Sequence, residues 1–461
     1  SKMGDYLFME RVQTKQNYSI LDYLKFILPS MLGIILLMFP FQYEGKTTIV
    51  VALLAGKMTS ALEEVLPTIV LAFITFTGIV TVIYKFFKPS FIENDIFLKG
   101  VFNVSNLWVI ARIIGLILTI MVYFQIGPEW IWSEDTGGLI LYDLILTLFT
   151  MFLFAGFLLP FLTDFGLLEF VGALLTPIMR PLFQLPGRSS IDCVASWVGD
   201  GTIGVALTNK QYEEGYYTSK EAAIIATTFS AVSITFCLVI LEQVDLVHLF
   251  GIYYLTVVIT GIAAAIIMPK IPPLSKKSNS YYKGLKKDLG ENVPKGYTNL
   301  QWGLHLAIQK AEESGNIKGF ITNGAKTVLD MWLGVLPAIM AFGTIALIIA
   351  ETTPIFQWLG MPFIPILKLL KVPYAIEASQ TIMVGFADMF LPSVIGSNIP
   401  SEMTRFIIAT LSVTQLVYLS EAGAVILGSR IDISPMDLFL IYIERTLITL
   451  PIIVLVAHLI F

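Results

Sequence analysis

The sequence predicts an all-α polytopic membrane protein of about nine transmembrane helices, built as two inverted repeats that contain re-entrant or broken helices. Three observations carry this expectation. The 461 residues are 56% hydrophobic and only 14% charged, where a globular chain carries roughly 25% charged residues. Six long stretches hold no charge at all. Two less apolar regions, 164–221 and 351–405, resemble one another.

A bilayer core needs roughly 20 apolar residues per helix. The uncharged stretches are 26–43, 65–84, 144–163, 222–241, 249–269 and 331–350. Three more carry isolated charges: 101–125 with Arg112, 406–429 with Glu421, and 438–461 with Glu444 and Arg445. No stretch alternates with period two, which excludes an outer-membrane barrel. The opening Ser1-Lys2-Met3-Gly4 reads as the remnant of a cleaved tag, and no signal peptide precedes the first apolar stretch.

Charge bias orients the chain. Lys85, Lys88 and Lys99 crowd one loop, and ten lysines fall in 270–326. These loops are expected to be cytoplasmic. Loops 129–143 and 242–248 lack Lys and Arg and should face outward. The pattern predicts the inner (cytoplasmic) membrane, a cytoplasmic N-terminus and an external C-terminus. Lys46, Lys368 and Lys371 run against it. The expected organisation is an N-terminal three-helix region (5–137), a first repeat with its following helix (138–269), a Lys-rich linker (270–326) and an inverted second repeat with the C-terminal helix (327–461). Within the linker, Asn299–Ser314 reads as an amphipathic helix on the inner leaflet.

Residues 167–205 align with 355–393 at an offset of 188, setting Gly172 against Gly360 and Asp200 against Asp388. Further on, Ile224-Ile225-Ala226-Thr227 meets Ile407-Ile408-Ala409-Thr410. The preceding helices, 144–163 and 331–350, should cross in opposite senses. Inverted repeats with Gly- and Pro-broken helices are the usual plan of secondary transporters. Non-helical backbone at that depth must line a watery cavity or be shielded by protein.

The polar residues of these regions are the candidate site. In the first copy, three glycines surround Asp200, followed by Thr202 and Asn209. This reads either as a re-entrant tip that contacts solute or as an Asp-closed turn. Thr218-Ser219-Lys220-Glu221 is a capping box. The second copy offers Asp388 in an apolar run and Ser393 after Pro392. On the next helix, Thr414 and Gln415 precede Glu421, the leading candidate. Glu444 and Arg445 fall at similar depth on the following helix, where Arg445 could contact Glu421 and tune its carboxylate at a coupling site, or the two could form a static buried ion pair. Arg112 has no evident partner.

Other function classes find no support. The net charge of −5 offers no field for nucleic acid. Cys193, Cys237, His248, His305 and His458 share no metal-ligand spacing. Gly56-Lys57-Met58 is not a phosphate-binding loop, and HExxH and GxSxG are missing. No enzyme chemistry, resident metal or cofactor is expected. H+ or Na+ would serve as coupling ion.

Several segments together resemble the YjiH family over nearly the whole chain. They are Leu24-Lys25-Phe26-Ile27-Leu28-Pro29-Ser30, Lys85-Phe86-Phe87-Lys88-Pro89-Ser90-Phe91, Gly199-Asp200-Gly201-Thr202 through Gly215, and Gly385-Phe386-Ala387-Asp388-Met389-Phe390-Leu391-Pro392. That family carries nucleoside-recognition, or Gate, domains, related to those of concentrative nucleoside transporters and of ferrous-iron transporters. The resemblance implies paired hairpins at 164–209 and 374–398 that hold solute. The glutamine-threonine-glutamate and asparagine-glutamate-phenylalanine motifs of the nucleoside transporters do not occur in the corresponding places. The expected function is therefore ion-coupled transport of a nucleoside, amino acid or short peptide, by a chain that pairs with itself as a dimer. The alternative is an accessory subunit that works with a second Gate-domain protein.

Overall fold

The computed structural model describes residues 18–461 except 38, 40, 197–200, 230, 231, 233 and 421. Asp200 and Glu421 therefore lie outside the described residues. The fold is all-α apart from one hairpin, Phe41–Tyr43 paired with Lys46–Thr48. Its two-residue turn sets Glu44 and Gly45 at φ 49 and 76, the left-handed geometry that matches strand twist. The hairpin ends the first apolar span at Leu37, short of the expected Tyr43.

Among the described residues, seven helices are long and apolar enough to cross a membrane. They are α1 (Ile20–Leu37), α2 (Leu66–Phe87), α3 (Asn106–Phe124), α4 (Leu139–Thr163), α5 (Val247–Lys270), α6 (Ile317–Thr352) and α7 (Pro435–Ile460). The other two expected spans are each two shorter helices: Ser219–Ile224, continued by π-helix to Phe229, then Ile234–Gln243; and Glu402–Thr414, then Ala422–Gly428. The apolar runs there are long enough to cross. In the second, Leu416 takes φ 59 at the break, a conformation disfavoured for a branched side chain.

Large apolar side chains point outward along the peripheral helices. Leu24, Leu28 and Met31 on α1 are exposed, as are Phe76 on α2, Ile110 on α3, Leu255 on α5 and Leu455 on α7. A water-soluble chain would hide such surfaces, so the protein is membrane-embedded. The core sits on α4 and α6, whose apolar windows are 61% and 72% buried, against 22–44% for the other five. These two central helices run antiparallel. Phe161 packs on Phe320, Phe149 stacks on Trp332 at 4.0 Å, and the Trp332 indole N–H donates to the Phe149 carbonyl at 2.9 Å. Gly156 faces Val328 and Gly343 faces Ile140. Each helix also contains a π-helical turn, Leu139–Ile145 and Met331–Val335.

One order of elements occurs twice. After α4 come Leu167–Phe183, Ser189–Val194, Gly201–Glu213, the first broken helix and α5. After α6 come the helical stretch Ile355–Leu369, Ala375–Ile382, Leu391–Gly396, the second broken helix and α7. Thr218 caps the first broken helix, with Glu221 completing the capping box, and Ser401 caps the second. The aligned glycines differ in how tightly they are packed, since a Cβ on Gly172 would meet nothing nearer than Arg188 at 3.5 Å. Gly360 passes so close to Ser379 that a Cβ would sit 2.1 Å from its carbonyl oxygen, and the Gly172 carbonyl lies 2.5 Å from the place a Cβ on Gly187 would take. The linker helix Asn299–Glu312 starts at a Thr298–Gln301 capping box. Its buried face, Ala307 and Ile308 included, turns toward Leu167–Phe183, whereas Leu300 stays exposed. The face expected on the inner leaflet is thus largely turned to protein.

On α3, Gly115 meets α6 so closely that a Cβ would lie 2.4 Å from the Pro337 carbonyl oxygen. Gly115→Ala is expected to lower stability by about 1–3 kcal/mol through overpacking. Gly56→Ala, on an exposed helix with nothing within 4 Å of the added carbon, should leave stability unchanged or raise it by up to about 1 kcal/mol. Thermal unfolding of both variants in detergent checks the contact; equal midpoints would refute it.

Candidate functional site

The first repeat folds a buried polar network around Asp192. This side chain is 1% exposed, on the short helix Ser189–Val194. Its carboxylate accepts from Thr208 at 2.7 Å, Gln211 at 2.8 Å and Tyr217 at 3.1 Å. Arg188 donates to Gln211 at 2.7 Å, lies 3.6 Å from Glu169 and stacks over the Tyr216 ring at 3.7 Å. A buried carboxylate persists only when hydrogen-bonded, and here three donors hold it. Thr202 is buried in the first turn of Gly201–Glu213.

The second repeat places its polar groups at the helix break. Backbone N–H groups of Leu419 and Ser420 donate to the carbonyls of Phe386 and Ala387, at 2.8 and 3.0 Å. The segment after the break therefore satisfies the tip of the preceding hairpin. Asp388 caps that tip, accepting from the Ser420 hydroxyl at 2.8 Å and from backbone N–H groups of residues 389–391. Gln415 joins three elements: it donates to the Ile382 carbonyl at 3.1 Å and to Thr446 at 2.9 Å, and Tyr442 donates to it at 2.6 Å. Thr414 bonds to Leu411 and to Thr449. Arg445 is 1% exposed, and its Nε donates to the Thr414 carbonyl at 2.9 Å. Among the described residues, its Nη1, the Ser393 hydroxyl and Glu444 Oε2 are buried without a hydrogen-bond partner.

The two repeats meet where Gly201–Glu213 packs on Ala422–Gly428. There the Arg430 backbone N–H donates to Asn209 Oδ1 at 2.9 Å. The Arg430 guanidinium lies 3.4 Å from Glu213 and 3.2 Å from Asp330, and it donates to the Gly100 carbonyl. This ion-paired group borders a cleft of ≈ 460 Å³ lined by Asn209, Lys210, Glu213, Asp330, Ser429 and Arg430, among others. A second cleft of ≈ 690 Å³ adjoins it across Arg430 and reaches Arg112. Both volumes suit small-molecule ligands, whose sites span roughly 300–1,000 Å³.

The structure thus brings Asp388, Thr414, Gln415 and Arg445 to one helix break and puts Asn209 at the inter-repeat cleft. The expected contact of Arg445 with Glu421 falls on a residue outside the described ones, and Arg445 and its neighbour Glu444 form no ion pair with each other. Neighbours on a helix point about 100° apart, so one faces the break while the other does not. Sequence reasoning missed Asp192, with Arg188 and Gln211, and the Arg430–Glu213–Asp330 group. Asp192 offered a signal, as an acid between apolar neighbours; the partners of Arg430 did not, because they lie far apart in sequence. Among the described residues, no group of three His, Cys, Asp or Glu side chains could hold a metal ion.

Residues 145–246 match a family model described as Gate, nucleoside recognition. An uncharacterized protein of Alkalihalophilus pseudofirmus is 48% identical over 455 residues, which cover 99% of this chain and 98% of that protein. No solved structure matches.

Removing the Arg430 cation would leave Glu213 and Asp330 facing one another. Arg430→Met should lower stability by about 2 kcal/mol, less than for a fully buried pair, because the cleft keeps these groups partly wet. Adding Glu213→Gln should recover part of the loss. A double-mutant cycle by thermal unfolding decides; simple additivity would mean the contact carries no coupling.

Proposed function

The chain belongs to the Gate (nucleoside recognition) family, and on that premise we propose that it is a secondary active transporter of the inner membrane. It carries a small polar organic solute, coupled to H+ or Na+, by alternating access of two inverted repeats. The segments that resemble the YjiH family support assigning it to that branch.

The observation that carries this reading is the antiparallel packing of α4 against α6. They are the corresponding elements of a series that occurs twice, so their opposed directions support inversion of everything that follows them. On this reading each broken helix crosses the membrane, which brings the crossings to nine, and 189–213 and 375–396 are re-entrant hairpins. The N-terminus is cytoplasmic, as the Lys-rich loops require. Unpaired backbone at a break is tolerated only where protein or water satisfies it, and the bonds from residues 419–420 to 386–387 meet that need. Asp388, Gln415 and Arg445 stand at one break. Glu421 follows it directly in sequence and supplies the carboxylate that couples solute to ion. Asp200, which the repeat sets against Asp388, is a further candidate carboxylate in the first copy.

Purified protein alone in liposomes should accumulate at least one nucleoside, amino acid or dipeptide when an H+ or Na+ gradient is imposed. Glu421→Gln, with the folded helical spectrum retained, should slow uptake roughly tenfold or more, as expected for losing one charge-assisted contact. A chain that moves none of these solutes under either gradient would end the transporter reading, and uptake by its mixture with a second Gate-domain protein would establish the accessory role.

A further inference from the structure

We infer that the cleft beside Arg112 is a binding site for the carboxylate of the transported solute. The inference rests on the transporter reading, and within it narrows the solute to the carboxylate-bearing classes, amino acids and short peptides, over nucleosides.

Arg112 lies on α3, 4% exposed, at the wall of the ≈ 690 Å³ cleft. Burying a guanidinium in a membrane helix is costly unless something compensates it. The direct hydrogen-bond partners of Arg112 are neutral. Nη1 donates to the Thr81 hydroxyl at 2.9 Å and to the Val101 carbonyl at 2.8 Å. Both hydrogens of that nitrogen are thereby used. Among the described residues, Nε and Nη2 have no hydrogen-bond partner and no carboxylate lies within 4 Å. The Nε–Nη2 edge is the pair of parallel donors that fits a carboxylate two-pronged.

The acids around the cleft are already matched. Glu93 bonds Lys99 at 2.6 Å, and hydrogen bonds from Lys99 and Tyr84 hold its carboxyl below the usual carboxylate range. Asp330 is held by Arg430 at 3.2 Å, and the exposed Asp432 lies 3.8 Å from Lys277, a cation it shares with Asp437 at 2.7 Å. Arg112 is therefore a cation left over in a cleft whose anions are taken. The rest of the lining suits a small zwitterion. Asn103, Ser105 and Ser434 offer neutral polar groups, and Trp108 offers an apolar wall.

Trp108 provides the readout. Tryptophan fluorescence of the purified full chain is titrated with glycine, alanine and dialanine, with their amides, which lack the carboxylate, and with uridine. The expected result is saturable quenching by at least one acid and none by its amide. Arg112→Gln should weaken binding on the order of 10- to 100-fold, the value of a two-pronged bond to a charged group. Arg112→Lys, which keeps the charge but not the fork, should fall between. Should Arg112→Gln fail to fold, Asn103→Cys at the exposed mouth, labelled with a bulky maleimide, should abolish quenching that the unlabelled variant retains. Equal binding of acid and amide, unchanged affinity in Arg112→Gln, or quenching by uridine alone would each overturn the inference. Uridine uptake in liposomes without carboxylate binding would leave transport standing and remove only this site. Carboxylate binding without any uptake would do the reverse.

Discussion

Everything in this molecule hangs on the contact between α4 and α6. Their close approach is made of small residues and one stacked pair. Gly156 admits Val328, Gly324 admits Phe157, and Trp332 lies flat on Phe149. Lipid offers no hydrophobic drive to push helices together, so such packing and interhelical hydrogen bonds must do the work. The Trp332 bond to the Phe149 carbonyl adds direction, since it fixes both depth and rotation of one helix against the other. On the proposed inverted-repeat reading, locking these two corresponding helices antiparallel sets opposite senses for the elements that follow each.

The second constraint is backbone satisfaction. A helix that stops at mid-depth exposes four carbonyls, and the next exposes four N–H groups. In the second repeat the hairpin tip and the broken segment solve this for each other through residues 386–387 and 419–420. Gln415 then ties the break to Ile382 and to α7 through Thr446. The polar side chains gather there because the backbone demands partners, and a polar solute can use the same surroundings. Leu416, at φ 59, is the strained residue on which this arrangement turns, and strain of this kind clusters at functional sites.

Much of this was readable from the chain alone, and the limits have physical causes. Long apolar runs marked all seven continuous helices. Of the aligned glycines, Gly360 marked a place where the chain crosses its neighbour closely. Thr218 and Glu221 announced their capping box. Boundaries were less legible: the first span gives way to a strand near Phe41 although the apolar run continues, because hydropathy records burial in lipid and not hydrogen-bond pattern. The runs 222–241 and 406–429 looked continuous for the same reason. The polar contacts were least legible. Arg188 with Gln211 or Arg430 with Glu213 pair residues whose meeting depends on the hairpin fold, and no local pattern encodes it. Arg112 showed its cost in the sequence but not its surroundings.

The distribution of contact strengths bears on how such a molecule could move. The α4–α6 seam is dry, glycine-spaced and mostly buried, so sliding it would break many contacts at once; packed interfaces of this kind are bistable and do not deform smoothly. The seam between Gly201–Glu213 and Ala422–Gly428 differs. Its polar link is one backbone bond to Asn209 and a partly wet ion pair to Glu213. A half-buried ion pair of this kind is worth no more than about 2 kcal/mol, within what a bound solute can supply through differential affinity. A motion that opens this seam while the central pair stays fixed costs least. It would also join or separate the two clefts, since Arg430 stands between them and Arg112 lies on the far side.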